Sequence, residues 1–144
     1  MTSVAERTAP PTVQLSVLLW LSAIGAGAIE ALIHLLFPEP PTFGRLGARF
    51  AIYAVLAVLV LALRTGRNPV RWTVAVLLGG FGTLSLVIEP VSWLLAGGSP
   101  GLFLVTADAP ALVAAALRAA HVVAVWSALV LMFRPAANAF FARR

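Results

Sequence analysis

Four long apolar runs, each closed by proline, glycine or arginine, leave this chain little choice of fold. A bilayer core requires about 20 consecutive apolar residues per helix. The runs at 13–37, 44–63, 70–96 and 110–133 all reach that length. Pro38, Pro40 and Pro41 stop the first and Arg64 closes the second. Gly97 and Gly98 end the third, and Arg134 and Pro135 end the fourth. Asn68 before Pro69, and Asp108 before Pro110, read as helix starts, a capping side chain followed by proline in the first turn. Connectors this short make consecutive helices antiparallel neighbours. The expected architecture is all-α, an integral membrane four-helix bundle forming a single transmembrane domain over residues 1–144, with tails at 1–12 and 134–144.

Composition agrees with lipid as the solvent. Of the 144 residues, 61% are hydrophobic and only 10% charged, where an ordinary soluble domain is about a quarter charged. So short a chain cannot hide that much apolar surface from water. A soluble enzyme, a nucleic-acid module and a disordered tail are all disfavoured. Absence of cysteine removes disulfides, thiolate metal sites and thiol redox chemistry.

The formal charge of +5 sits on arginines placed mostly at the ends of the runs. Arg7, Arg64, Arg67, Arg71, Arg134, Arg143 and Arg144 flank one side of the membrane, and Arg45 and Arg49 the other. The positive-inside rule then puts both termini in the cytoplasm. The alanine-rich, lysine-free composition points to a high-GC bacterial genome, and hence to the inner membrane. Trp72 and Trp93 suit interfacial anchoring at opposite ends of the third span. The segment Phe140, Phe141, Arg143, Arg144 is expected to lie on the inner leaflet. Arg7, an apolar stretch and Ala26-Gly27-Ala28 resemble a cleavable signal peptide. The run continues through Leu36, longer than a signal core, so a span is expected instead.

Ionisable groups inside spans are expensive and ask for a reason. At ~1.5 Å of rise per residue, Glu30 and Glu89 each lie roughly 10 Å from the non-cytoplasmic end of their span. Arg118 lies roughly 12 Å deep, His34 roughly 5 Å and His121 about 16 Å, with Arg49 and Tyr53 in the same third of the membrane. Glu30 with His34, Arg49 with Tyr53, and Arg118 with His121 are spaced three or four apart, so each pair shares a helix face. Gly82, Ser85, Glu89 and Ser92 form a small and polar stripe on the third span, and Ser22, Ala26 and Glu30 a similar one on the first. Pro90 removes a backbone donor beside Glu89. Gly79 with Thr83, and Ala116, Ala120, Ala124 and Ala128, have spacing suited to close helix crossing or to self-association.

Three readings of this polar layer follow. In the structural reading, Glu30 and Glu89 pair with Arg49 and Arg118, the charges cancel, and helix register is fixed in an accessory membrane subunit. In the binding reading, the layer is a pocket for a small or lipid-like molecule, with proton-linked transport as an extension. Glu30 and Glu89 then accept protons or cations, Arg118 and Arg49 act as counter-charges or anion clamps, and His34 stands near the entrance. In the third, Glu30, His34, Glu89 and His121 hold zinc or iron, or a Glu/His pair serves as acid and base in an intramembrane enzyme. Haem is least favoured, because His34 and His121 differ by roughly 11 Å in depth. No cofactor is expected. The expected partners are the bilayer, a small or lipid-like ligand, and further copies of the chain or a larger membrane complex, with no nucleic acid. The connector 97–109 is apolar enough to rest on head groups or to cover the layer.

Overall fold

The computed structural model describes residues 8–142, and they are helical with no strand among them. In chain order the helices are α1 (Pro11–Ile33), α2 (Phe43–Leu61), α3 (Asn68–Val74), α4 (Thr83–Leu95), α5 (Pro100–Thr106), α6 (Ala109–Met132) and α7 (Pro135–Ala142). Tight 3₁₀ turns extend α1 over His34–Leu36 and α2 over Ala62–Thr65. A π-helical stretch, Ala75–Gly82, joins α3 to α4 without a break. Four helices are therefore long and apolar enough to cross a membrane: Pro11–Leu36, Phe43–Thr65, Asn68–Leu95 and Ala109–Met132. The chain is a multi-pass membrane protein. Arg7, Arg143 and Arg144 lie outside the described residues.

Local chemistry explains most boundaries. Thr42 caps α2 by accepting from the Arg45 amide, and Asp108 caps α6 through the Ala111 amide at 3.0 Å. Asn68 does not cap the third span. The cap position belongs to Arg67, no side chain bonds there, and Asn68 is already helical. Within the connector expected to be a loop, Ser99 accepts from the Leu102 amide and Pro100 takes the first turn, which starts α5.

The spans pack unevenly. α1 and α6 run against each other along much of their length, and Ser16 on α1 donates to the Ala128 carbonyl on α6 at 2.8 Å. Such small polar side chains supply close contact and a bond where lipid removes the hydrophobic drive between helices. The buried face of α1 runs through Val13, Val17, Trp20, Ala23, Gly27 and Glu30. It is not the Ser22–Ala26 face: Ser22 is exposed and donates to its own helix at the Leu18 carbonyl. Of the alanine series on α6, Ala128 is buried and Ala124 partly so, while Ala116 and Ala120 are exposed. Gly79 in the π-helical stretch meets α6, where a Cβ would stand 2.8 Å from Leu129 Cδ1.

One half of the molecule is solid and the other is not. The buried cluster unites the start of α1 (Val13, Val17, Trp20), the end of α2 (Val60, Leu63), Val74, Leu78, the end of α6 (Val125, Ala128, Met132) and α7 (Ala137, Phe141). Phe141 is fully buried, so this part of the chain packs into the protein and is not free to lie on a leaflet. α7 is held by Arg71, a buried arginine whose guanidinium donates to Asn138 Oδ1 and sits 4.0 Å from the Phe133 ring. Gly66, at φ 73°, turns the chain into the third span, a conformation that strains any side chain, and the Phe140 ring lies 3.1 Å from where its Cβ would stand.

Candidate functional site

Above that solid half, the four spans separate around a cavity of about 380 Å³. α1 contributes Trp20, Ala23, Gly27 and Glu30, and α2 contributes Arg49, Tyr53 and Leu56. The third span contributes Leu78, Phe81, Ser85 and Glu89, and α6 contributes Arg118, His121 and Val125. Helical rise orders these residues. Trp20, Leu78 and Val125 are continuous with the packed core and form an apolar floor. Glu30, Arg49, Glu89 and Arg118 lie about two to three turns away on their helices, at the other end of the cavity.

Arg118 organises the charges. Its Nε and one terminal nitrogen donate to the same oxygen of Glu30, at 3.0 and 2.7 Å, and the other terminal nitrogen donates to Glu89 at 2.8 Å. Charge-assisted bonds of this kind are stronger than neutral ones, and the planar guanidinium fixes the two carboxylates relative to each other. The carboxylates are not equivalent. Glu30 is almost enclosed, with 7% of its side chain exposed, whereas Glu89 keeps 72% open. Arg49 forms no ion pair among the described residues, so the pairing differs from the two-to-two arrangement expected from charge count.

Glu89 borders two spaces. A second cavity of about 460 Å³ lies on its other side, bounded by Pro90, Trp93, Phe103, Ala115 and Ala119. Phe103, from α5, meets Trp93 edge-on at 6.1 Å. The connector helix thus contributes one side chain to the lining of this second cavity. Leu86, Glu89 and Arg118 line both spaces, so the Arg118–Glu89 ion pair lies where the two meet.

Six of the seven residues singled out in the sequence come together in the central cavity, and His34 does not. Its Nδ1 lies 2.7 Å from the Glu30 carbonyl and its ring lies against Phe37, which makes it part of the turn that ends the first span. On the third span, Gly82, Ser85 and Glu89 line the cavity, whereas Ser92 is exposed and donates to the Ile88 carbonyl. Among the described residues no three of His, Asp and Glu come together as a group able to hold a metal ion.

Two positions were not visible as site residues in the sequence. At Gly27 a Cβ would come within 3.0 Å of both His121 Cε1 and Tyr53 Oη, so the glycine lets both polar side chains close on α1. Trp20 is fully buried in the cavity floor. Its Nε1 and the Nδ1 of His121 are buried without a hydrogen-bond partner among the described residues. Buried polar groups are nearly always satisfied. Neither atom is open to the cavity, so both are unsatisfied polar groups packed into its wall.

Fold and site together define a multi-pass membrane protein with a charged cavity lined by its four spans. In comparisons with family models, curated proteins and solved structures, the chain matches none.

Proposed function

We propose that the chain is a membrane-embedded binding protein for a small, lipid-like molecule, working as a single four-helix bundle in a bacterial inner membrane. One observation carries this reading: a cavity lined by all four spans has charge at one end and an apolar floor at the other. Small-molecule sites have this character, a mostly apolar pocket with a few convergent polar groups. In the proposed orientation both termini are cytoplasmic and the charged end faces the outer side, following the arginine distribution.

Proton coupling is an extension of the same reading. Glu30 and Glu89 share one guanidinium, so adding a proton to either leaves Arg118 committed to the other. That exchange would loosen the ion pairs where the two cavities meet and couple ligand movement to proton uptake. The alternative is a structural subunit, favoured by the way Arg118 satisfies both carboxylates within the protein. A further alternative is an intramembrane acid–base or metal role for Glu30, His34, Glu89 and His121, of which His34 lies outside the cavity.

Native mass spectrometry of the full chain, released from detergent, separates the first two. Wild-type protein is expected to retain one small amphiphile per chain. Ser85→Phe, which places a ring in the cavity and removes only a bond to the Gly82 carbonyl, is expected to retain none. Identical spectra for the two proteins would favour the structural subunit.

A further inference from the structure

Resting on the binding reading, we propose that the ligand is a single-chain amphiphile with an anionic head group, held by Arg49 with its chain on the floor at Trp20. Charge selects the head group. Both acidic side chains in the cavity are engaged by Arg118, and Arg49 is the cation there with no carboxylate partner among the described residues. An anion at Arg49 would be paired without breaking the Arg118 triad, whereas a cationic ligand must compete with Arg118 for its carboxylates. Tyr53, one turn from Arg49 on the same face, adds a phenol to the same wall.

Size selects the tail. A volume of about 380 Å³ lies near the lower end of the range for small-molecule pockets, about 300–1,000 Å³. That admits one hydrocarbon chain and is too small for a two-chain lipid. Trp20 and His121 line the wall along which the chain would run. Geometry also supplies an entrance. α2 packs on α1 and on α3, but among the described residues it makes no extensive contact with α4. The chain of a lipid can enter sideways through this gap, past Ser85 and Ile52, without leaving the bilayer.

The test uses the full chain reconstituted in phosphatidylcholine vesicles, with three spin-labelled probes of equal chain length: stearic acid, its methyl ester and the corresponding amine. The fraction of immobilised label is read by electron paramagnetic resonance. The acid is expected to bind at least tenfold more tightly than the ester or the amine. Arg49→Gln is expected to bring the acid down to the ester's level, and Arg49→Lys to restore most of the difference. An equal or stronger response to the amine or ester, or an unchanged acid affinity in Arg49→Gln, overturns the anionic assignment. In that event Ser85→Phe decides the underlying reading: if it abolishes binding of all probes, the cavity still binds a ligand of another class. If wild type and Ser85→Phe hold every probe alike, both the assignment and the binding reading fall.

Discussion

Arg118 is the residue on which the charged end of the cavity depends, because three of its nitrogens serve two carboxylates of unequal burial. Removing it strands Glu30 as an enclosed charge, and breaking a buried pair from one side costs about 3–5 kcal/mol. Arg118→Gln is therefore expected to lower the melting temperature sharply in detergent, with Glu30→Gln/Arg118→Gln recovering most of the loss. Glu89→Gln should cost less, since that side chain is largely open. A melt of Arg118→Gln that overlays wild type would show that the triad contributes nothing to stability. Depth was the legible part of this site: a fixed rise per residue puts Glu30, Glu89, Arg49 and Arg118 at one level. Partner choice was not legible, because it depends on how each helix is rotated about its axis. Where a helix is apolar all round, periodicity says little about which face is buried. Hence the Ser22–Ala26 face of α1 was expected, and the Ala23–Gly27 face one residue away is the one buried.

Elements were easier to read where polar or conformationally special residues punctuate the chain. The four spans fall within a few residues of their expected limits, because prolines, glycines and arginines end the apolar runs. α5 is not legible in the sequence, although Ser99-Pro100 carries a start signal like that of Asp108 with Pro110. Its seven residues are too few for periodicity to register. The packing of α7 is hidden from the sequence for a different reason. Phe140 and Phe141 beside terminal arginines resemble an interfacial anchor, and only tertiary structure reveals Arg71 and Asn138 tying the helix to the solid half. Phe141→Ala is expected to destabilise the protein by about 3 kcal/mol, the cost of truncating a fully buried phenylalanine. The same loss of protection should appear by hydrogen exchange at the start of the third span, where Arg71 lies. An interfacial anchor would instead leave stability unchanged and weaken membrane attachment.

At the scale of the whole molecule, a packed half supports an open one. The core at the start of α1 and the end of α6 fixes the helix ends, which lets the spans part around the cavity without losing the fold. The proposed orientation is directly testable, since the chain has no cysteine of its own. Single cysteines at Glu39 and Ser99 are expected to react with an impermeant maleimide on intact cells, and those at Thr65 and Arg134 only after lysis. The reverse pattern would invert the topology. The cavity itself is most directly tested through Trp20. Trp72, Trp93 and Trp126 are exposed, at 54, 42 and 53%, whereas Trp20 is fully buried in the cavity floor. Replacing the three exposed tryptophans by phenylalanine leaves one emitter that bilayer lipid cannot touch. In such a protein, dibrominated stearate is expected to quench Trp20 strongly, a brominated two-chain phosphatidylcholine hardly at all, and Ser85→Phe to abolish the stearate effect. Quenching that is absent with stearate, or equal with and without Ser85→Phe, would contradict a ligand-binding cavity in this membrane protein.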